Sequence, residues 1–230
     1  MSGRFRTIYG VSGCVLALLI YACSPSIPKF VDKETEAQLA KKRGLVDVRQ
    51  VIPDIVVQLP YATPNNVAGA RLYPPNMTCY LHQGTAIKLA RAQRFLREKG
   101  YRLKIWDGYR PPEAQQKLFD LAGSTGYVAD PKYGWGRHCS GTAVDVTLLD
   151  SQGRECRMPT RFDDFSKSAS SEYKGSDPVV RENLAALQNA MFKAGFTVLK
   201  MEWWHFNDRD FDGFPLPPPI FGSQIGFKLP

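Results

Sequence analysis

The amino-acid sequence predicts an α+β domain with a mainly antiparallel central sheet flanked by helices. Three segments read as helices, two from apolar stripes at helical spacing and one from its proline start, and three others are short β-branched or aromatic runs bounded by turn residues. The two kinds do not alternate regularly, as a doubly wound parallel sheet requires. With 230 residues, 43% of them apolar, the chain can bury one core of ordinary size without disulfides.

Gly84 to Lys99 places Leu89, Ala92 and Leu96 on one face and stops at Gly100. Pro112 to Leu121 opens with proline, whose missing N–H costs nothing in a first turn, and ends before Gly123. Val180, Leu184, Leu187 and Met191 repeat at i, i+4, i+7 and i+11, with Gly195 placed to end that helix. The strands are Leu103 to Trp106, Ala143 to Leu148 and Phe196 to Met201, and Asp150-Ser151-Gln152-Gly153 reads as a hairpin turn.

The two ends of the chain read differently. Arg4 and Arg6 precede an apolar run from Val11 to Ile20 that is too short to span a membrane, which is the pattern of an export signal over residues 1–22. Ile20-Tyr21-Ala22-Cys23 has the form of a lipobox, so Cys23 is the expected lipidated N-terminus. Residues 23–45 then form a polar tether with little order, residues 46–210 the globular domain, and residues 211–230 a proline-rich tail along the surface.

Cleavage before Cys23 removes two arginines and no acid, which lowers the formal charge from +8 to +6. No tract concentrates that charge, so nucleic acid is not an expected partner. Export leaves Cys79, Cys139 and Cys156 in an oxidising compartment, where at most one pair can form among three thiols.

Two of the three histidines stand in suggestive company, in Gly136-Arg137-His138-Cys139-Ser140-Gly141-Thr142-Ala143-Val144-Asp145 and in Glu202-Trp203-Trp204-His205. Hydrolytic zinc sites use three His or carboxylate ligands and keep one position open, and His138, Asp145 and His205 can supply the three. In a strand from Thr142 to Leu148, Asp145 shares a face with Ala143 and Thr147, while Val144, Val146 and Leu148 form the other face. A carboxylate so placed is paired, bound to metal or solvated. Glu202 and His205 fall on opposite faces of a regular strand, so a break or bulge at Trp203-Trp204 is expected to bring both into one cleft walled by the tryptophans. Arg110 follows a strand and precedes Pro111-Pro112, a turn position from which a fixed cation can reach developing negative charge.

Together these segments resemble the zinc-dependent D-alanyl-D-alanine dipeptidases, the VanX-like group, from Leu59 to Phe206. The resemblance rests on Tyr61-Ala62-Thr63, Trp106-Asp107-Gly108-Tyr109-Arg110-Pro111, His138 through Leu148, Arg161-Phe162-Asp163 and Glu202-Trp203-Trp204-His205, in that order. It implies a domain of the D-Ala-D-Ala peptidase and hedgehog type and one zinc ion held by His138, Asp145 and His205. It further implies Glu202 as general base, Arg110 as the transition-state arginine, and Asp163 as the acid that meets the dipeptide's amino group. Asp107, Tyr109 and Trp204 are the remaining expected substrate contacts. The implied setting is the bacterial cell envelope, in the periplasm and anchored by lipid, with a D-Ala-D-Ala or related wall peptide as substrate.

Gly136 departs from the family, which often has serine there, as does Cys139, where a small polar residue is usual. Both bear on specificity more than on chemistry. His82 matches no motif and reads as structural. A D,D-carboxypeptidase acting on longer stem peptides and a wall-binding lipoprotein with a structural zinc are the competing functions, and a closed structural site has no use for Glu202 or Arg110.

Overall fold

The computed structural model describes residues 33–213, 216–227 and 230. The expected leader and Cys23 lie outside them. In chain order the elements are α1 (Lys33–Lys42), β1 (Leu45–Asp47), α2 (Val48–Val51), β2 (Val56–Val57), β3 (Tyr80–His82), α3 (Gln83–Arg97), β4 (Arg102–Asp107), α4 (Pro112–Ala122), β5 (Ala143–Leu149), α5 (Pro178–Ala194), β6 (Phe196–Leu199) and β7 (Glu202–Asp208). The three expected helices are α3, α4 and α5, and the three expected strands are β4, β5 and β6. β6 stops two residues early because Lys200 and Met201 make the turn into β7.

The main sheet has the order β2-β4-β5-β7-β6 and is antiparallel except at the β2–β4 edge, and a separate ribbon pairs β1 with β3. Strand alternation decides what the sheet buries. Val144, Val146 and Leu148 on β5 join Leu103 and Ile105 of β4, Phe206 of β7, Leu89 and Leu96 of α3 and Leu187 and Met191 of α5 in one apolar core. Asp145 points to the other face, towards the second, tyrosine-rich cluster of Tyr61, Tyr73, Tyr80 and Tyr109 beside α4. The site therefore sits between the two cores.

Two expectations about the chain ends are corrected. Within the segment read as a loose tether, Lys33–Lys42 is a helix with acids in its first turn and lysines in its last, as the helix dipole favours. It is anchored by burial of Ala40 and of Glu36, which accepts a hydrogen bond from Tyr80 Oη at 2.9 Å. The tail read as a surface strap buries Ile220, Ile225 and Phe227 in the tyrosine-rich core. Its path is held by Ile220 N–H donating to the Cys139 carbonyl at 3.0 Å and by Tyr109 Oη donating to the Ile220 carbonyl. Sparse apolar residues among prolines carry no periodic signal, which is why burial there is invisible to pattern reading.

The turn at Asp150 forms as expected: Gly153 takes φ +80°, and the Asp150 N–H donates to the Arg154 carbonyl at 2.9 Å. Cys79, Cys139 and Cys156 are all free thiols, the first two buried. Among the described residues no helix is long and apolar enough to cross a membrane.

Candidate metal centre and active site

His138 lies in a short 3-10 turn, Arg137–Ser140, closed by Gly141 at φ +69°. A side chain at Gly141 would meet the His82 backbone N and Leu45 Cδ2 at 2.8 Å, so only glycine lets the turn enter β5 against the β1–β3 ribbon. Asp145 follows on β5, and the β5–β7 register sets it directly opposite His205. Cross-strand partners share a face, so the two side chains meet. The His205 Nδ1 to Asp145 Oδ1 distance is 2.9 Å, the His138 Nε2 to His205 Nδ1 distance 3.2 Å, and the His138 Nε2 to Asp145 Oδ1 distance 3.4 Å.

The outer nitrogen of each imidazole determines what the inner one offers. His138 Nδ1–H donates to the Gly108 carbonyl at 2.7 Å, and His205 Nε2–H donates to Asn207 Oδ1 at 2.9 Å. Both outer partners are acceptors, so each neutral ring can keep its proton outward and turn the lone pair of its inward nitrogen to a metal. Two lone pairs and a carboxylate thus converge in a buried space, an arrangement that needs a positive charge at its centre. One ligand atom from each of the three residues can be chosen with all within 4.8 Å of one another. This donor set fits a zinc ion with an open position. Burial is the strongest influence on the His138 pKa and depresses it, but the charges of Asp145 and Asp107 and the hydrogen bond to Asp145 together outweigh it and leave the pKa raised. Burial likewise pushes Asp145 up, and His138 and His205 hold it well below the usual carboxylate range.

Arg110 is the fixed cation beside this set. Its Nε and Nη2 donate to Asp107 Oδ2 at 2.9 and 2.6 Å, its Nη1 donates to Gln115 Oε1 at 2.8 Å, and its guanidinium lies over the Tyr61 ring. An irregularity in β4 at Trp106 sets Asp107 opposite Asp145. Two acids on neighbouring strands repel, and Arg110 offsets this by lying 2.6 Å from one and 4.0 Å from the other.

Glu202 reaches the same space through the expected break in pairing. β6 pairs Leu199 with Glu202 and Val198 with Phe206, leaving Trp203, Trp204 and His205 without counterparts on β6. Both Glu202 and His205 consequently line one cavity of about 150 Å³, with Arg110, Asp145, Asp163 and Trp204 among its other walls. No described side chain hydrogen-bonds the Glu202 carboxylate, and burial pushes its pKa up to about 7 against the opposing pull of His205. Asp163 is also pushed up to about 7 by burial. It accepts from Tyr61 Oη at 3.0 Å and from the Val67 N–H at 3.4 Å, and it sits at φ +60°, a left-handed conformation in which a non-glycine residue is strained.

Three expected contacts are corrected. Tyr109 is buried with its hydroxyl on the Ile220 carbonyl and does not line the cavity. Asp107 is fully buried behind Arg110, where it accepts from that side chain, from Tyr73 Oη at 2.7 Å and from the Gly108 N–H at 2.9 Å. Of the two tryptophans only Trp204 walls the cavity; Trp203 lies one layer back, donating its Nε1–H to Thr160 Oγ1 at 3.0 Å. His82 lies outside the metal set, edge-on to Phe211. Two residues escaped the sequence reading, Gln115 and Asn207. Each is a single amide in an amphipathic element, and nothing in its spacing marks it as a partner of a catalytic group.

Comparison with known proteins decides the family. The family model described as D-ala-D-ala dipeptidase, of the M15 peptidases, matches residues 41–221. The chain belongs to this family. The D-alanyl-D-alanine dipeptidase of Escherichia coli K12 is 32% identical over 181 residues, covering 79% of this chain and 93% of that protein. The namesake enzyme of Enterococcus faecium is 27% identical over 207 residues, covering 79% and 98%. Among solved structures, the LD-carboxypeptidase LdcB matches 60% of this chain and 67% of its own at 23% identity and a TM-score of 0.38. The D,D-pentapeptidase VanY, solved with Zn(II), matches 58% and 75% at 19% and 0.36. As a member of the M15 dipeptidase family the chain is a metallopeptidase.

The raised Glu202 pKa has a consequence for stability. A carboxyl whose folded pKa of about 7 exceeds the ordinary 4.5 favours the folded state while protonated, and that advantage is lost as pH rises from about 4.5 through about 7. In metal-free protein, Glu202→Gln is expected to match wild type at pH 4 and to exceed it by up to about 3 kcal/mol at pH 8, read by urea unfolding. The same difference at both pH values would show that ionisation of Glu202 is not what costs stability.

Proposed function

We propose that this chain hydrolyses D-alanyl-D-alanine to free D-alanine, using one zinc ion held by His138, Asp145 and His205. The observation that carries the reading is the meeting, in one small cavity, of a three-ligand set, a buried carboxylate and a fixed guanidinium. Zinc in this set supplies a Lewis acid that polarises the peptide carbonyl and brings the pKa of water down to about 7. Glu202 accepts the proton of the attacking water and returns it to the leaving amine, a task for which a pKa near the working pH is best suited. Arg110, held by Asp107 and Gln115, presents a cation where negative charge grows on the carbonyl oxygen and needs no reorganisation to do so. Asp163 receives the substrate's ammonium group.

Cavity size favours the dipeptide over longer stems. About 150 Å³ is well under the roughly 300 Å³ at which sites for drug-sized ligands begin. Leu118, Val128, Phe165 and Leu199 supply apolar wall for small methyl groups. The product serves recycling of released wall dipeptide or resistance to glycopeptides. We further propose export to the bacterial envelope, with residues 1–22 removed as a leader and Cys23 lipidated.

Two measurements test these statements. Zinc-loaded protein incubated with D-Ala-D-Ala, L-Ala-L-Ala and a stem pentapeptide is expected to release alanine from the first alone. Glu202→Gln should keep its zinc and lose at least about 10² to 10⁴ in turnover, and Arg110→Ala should lose about 10² to 10³. A fully active Glu202→Gln, or an inert wild type, would return the structural-zinc reading, and release from the pentapeptide would select the carboxypeptidase. For the anchor, the full-length protein should partition into detergent and Cys23→Ser should not; recovery of wild type in the aqueous phase, starting at another residue, would dismiss lipidation.

A further inference from the structure

We propose that Asn207 is a positioning residue that fixes the tautomer of His205 and so sets the affinity of the metal centre. The inference rests on the zinc reading above and extends it to a residue outside the ligand set.

The geometry begins with strand periodicity. His205 and Asn207 are two apart on β7, which places their side chains on one face, and the register sets Asn207 opposite Ala143 and His205 opposite Asp145. Alanine at position 143 leaves room for the Asn207 amide to lean along the strand, and its Oδ1 accepts from His205 Nε2 at 2.9 Å. Asn207 also pairs across the other edge with Thr197 of β6, so its backbone is held from both sides.

The chemistry follows from the two protonation sites of imidazole. A neutral histidine carries one ring proton, and a metal can bind only the nitrogen without it. An acceptor at Nε2 stabilises the proton there and leaves the Nδ1 lone pair facing Asp145 and His138. Without Asn207 Oδ1 no described group accepts from Nε2, and the ring can instead place its proton on Nδ1, where Asp145 Oδ1 accepts it at 2.9 Å. The competing tautomer is thus favoured by one ligand at the expense of another. His138 has no such exposure to substitution, because its acceptor is the Gly108 backbone carbonyl. Gly108 is itself constrained, since a Cβ there would lie 2.7 Å from the Tyr80 carbonyl oxygen.

The test is zinc affinity by chelator competition in the full domain, for wild type, Asn207→Ala, Asn207→Leu and Asn207→Asp. Ala and Leu remove the acceptor, while Asp keeps an oxygen that can accept the same proton. Loss of a partner to a ligating histidine typically weakens metal binding by about 10- to 100-fold. That loss is expected for Ala and Leu, with affinity retained in Asp and with unchanged melting of all four metal-free proteins. Nitrogen-15 shifts of His205 in the metal-free proteins should show the Nε2–H form in wild type and Asp and a mixture in Ala and Leu. Wild-type affinity in both Ala and Leu, or an Asp variant as weak as they are, would overturn the inference. Failure of wild type itself to bind zinc would instead remove the reading on which it rests.

Discussion

The structure turns on one electrostatic constraint: three groups that can each offer a lone pair to a metal converge on a single buried point. His138 Nε2, His205 Nδ1 and an Asp145 oxygen lie 2.9 to 3.4 Å apart, and the outer nitrogen of each ring has an acceptor for its proton. Such a cluster is unfavourable in low dielectric unless a cation occupies it. Much of the surrounding architecture can be understood as holding these acceptors together against their repulsion. The β5–β7 register opposes Asp145 to His205, and Gly141 admits the turn that carries His138. The apolar face of β5 ties the sheet to α3 and α5.

The same constraint separates the roles of the two charged groups that complete the cavity. Arg110 is immobilised by Asp107 and Gln115 and lies only 4.0 Å from Asp145, so it is placed to stabilise anionic charge rather than to move protons. Glu202 is the opposite case. No described partner pins its carboxylate, and burial brings its pKa to the range in which a group both takes and gives a proton. Two groups of opposite sign, one rigid and one labile, flank one ligand set.

Much of this was legible in the sequence because the elements with the strongest periodicity are those that carry the site. The β5 alternation, the stripe of α5 and the spacing of Glu202 and His205 each led to the correct face or the correct irregularity. What pattern reading missed has physical reasons. Asn207 and Gln115 act through single amide contacts, to His205 at 2.9 Å and to Arg110 at 2.8 Å, and amides at such positions are common without any role. Tyr109 and Asp107 adjoin Arg110 in sequence, which by itself points both towards the substrate. The turn after β4 instead directs Tyr109 to the tail and leaves Asp107 as the counter-ion beneath the arginine. The tail and α1 are ordered by tertiary contacts to Tyr109 and Tyr80, which no local propensity announces.

Metal content is the most direct measure of the central claim. Elemental analysis of purified, dialysed protein should give about one zinc per chain for wild type and for His82→Ala, and close to none for His205→Ala. Zinc retained by His205→Ala, or lost from His82→Ala, would contradict the account, because the three converging acceptors would then not be where the metal is held.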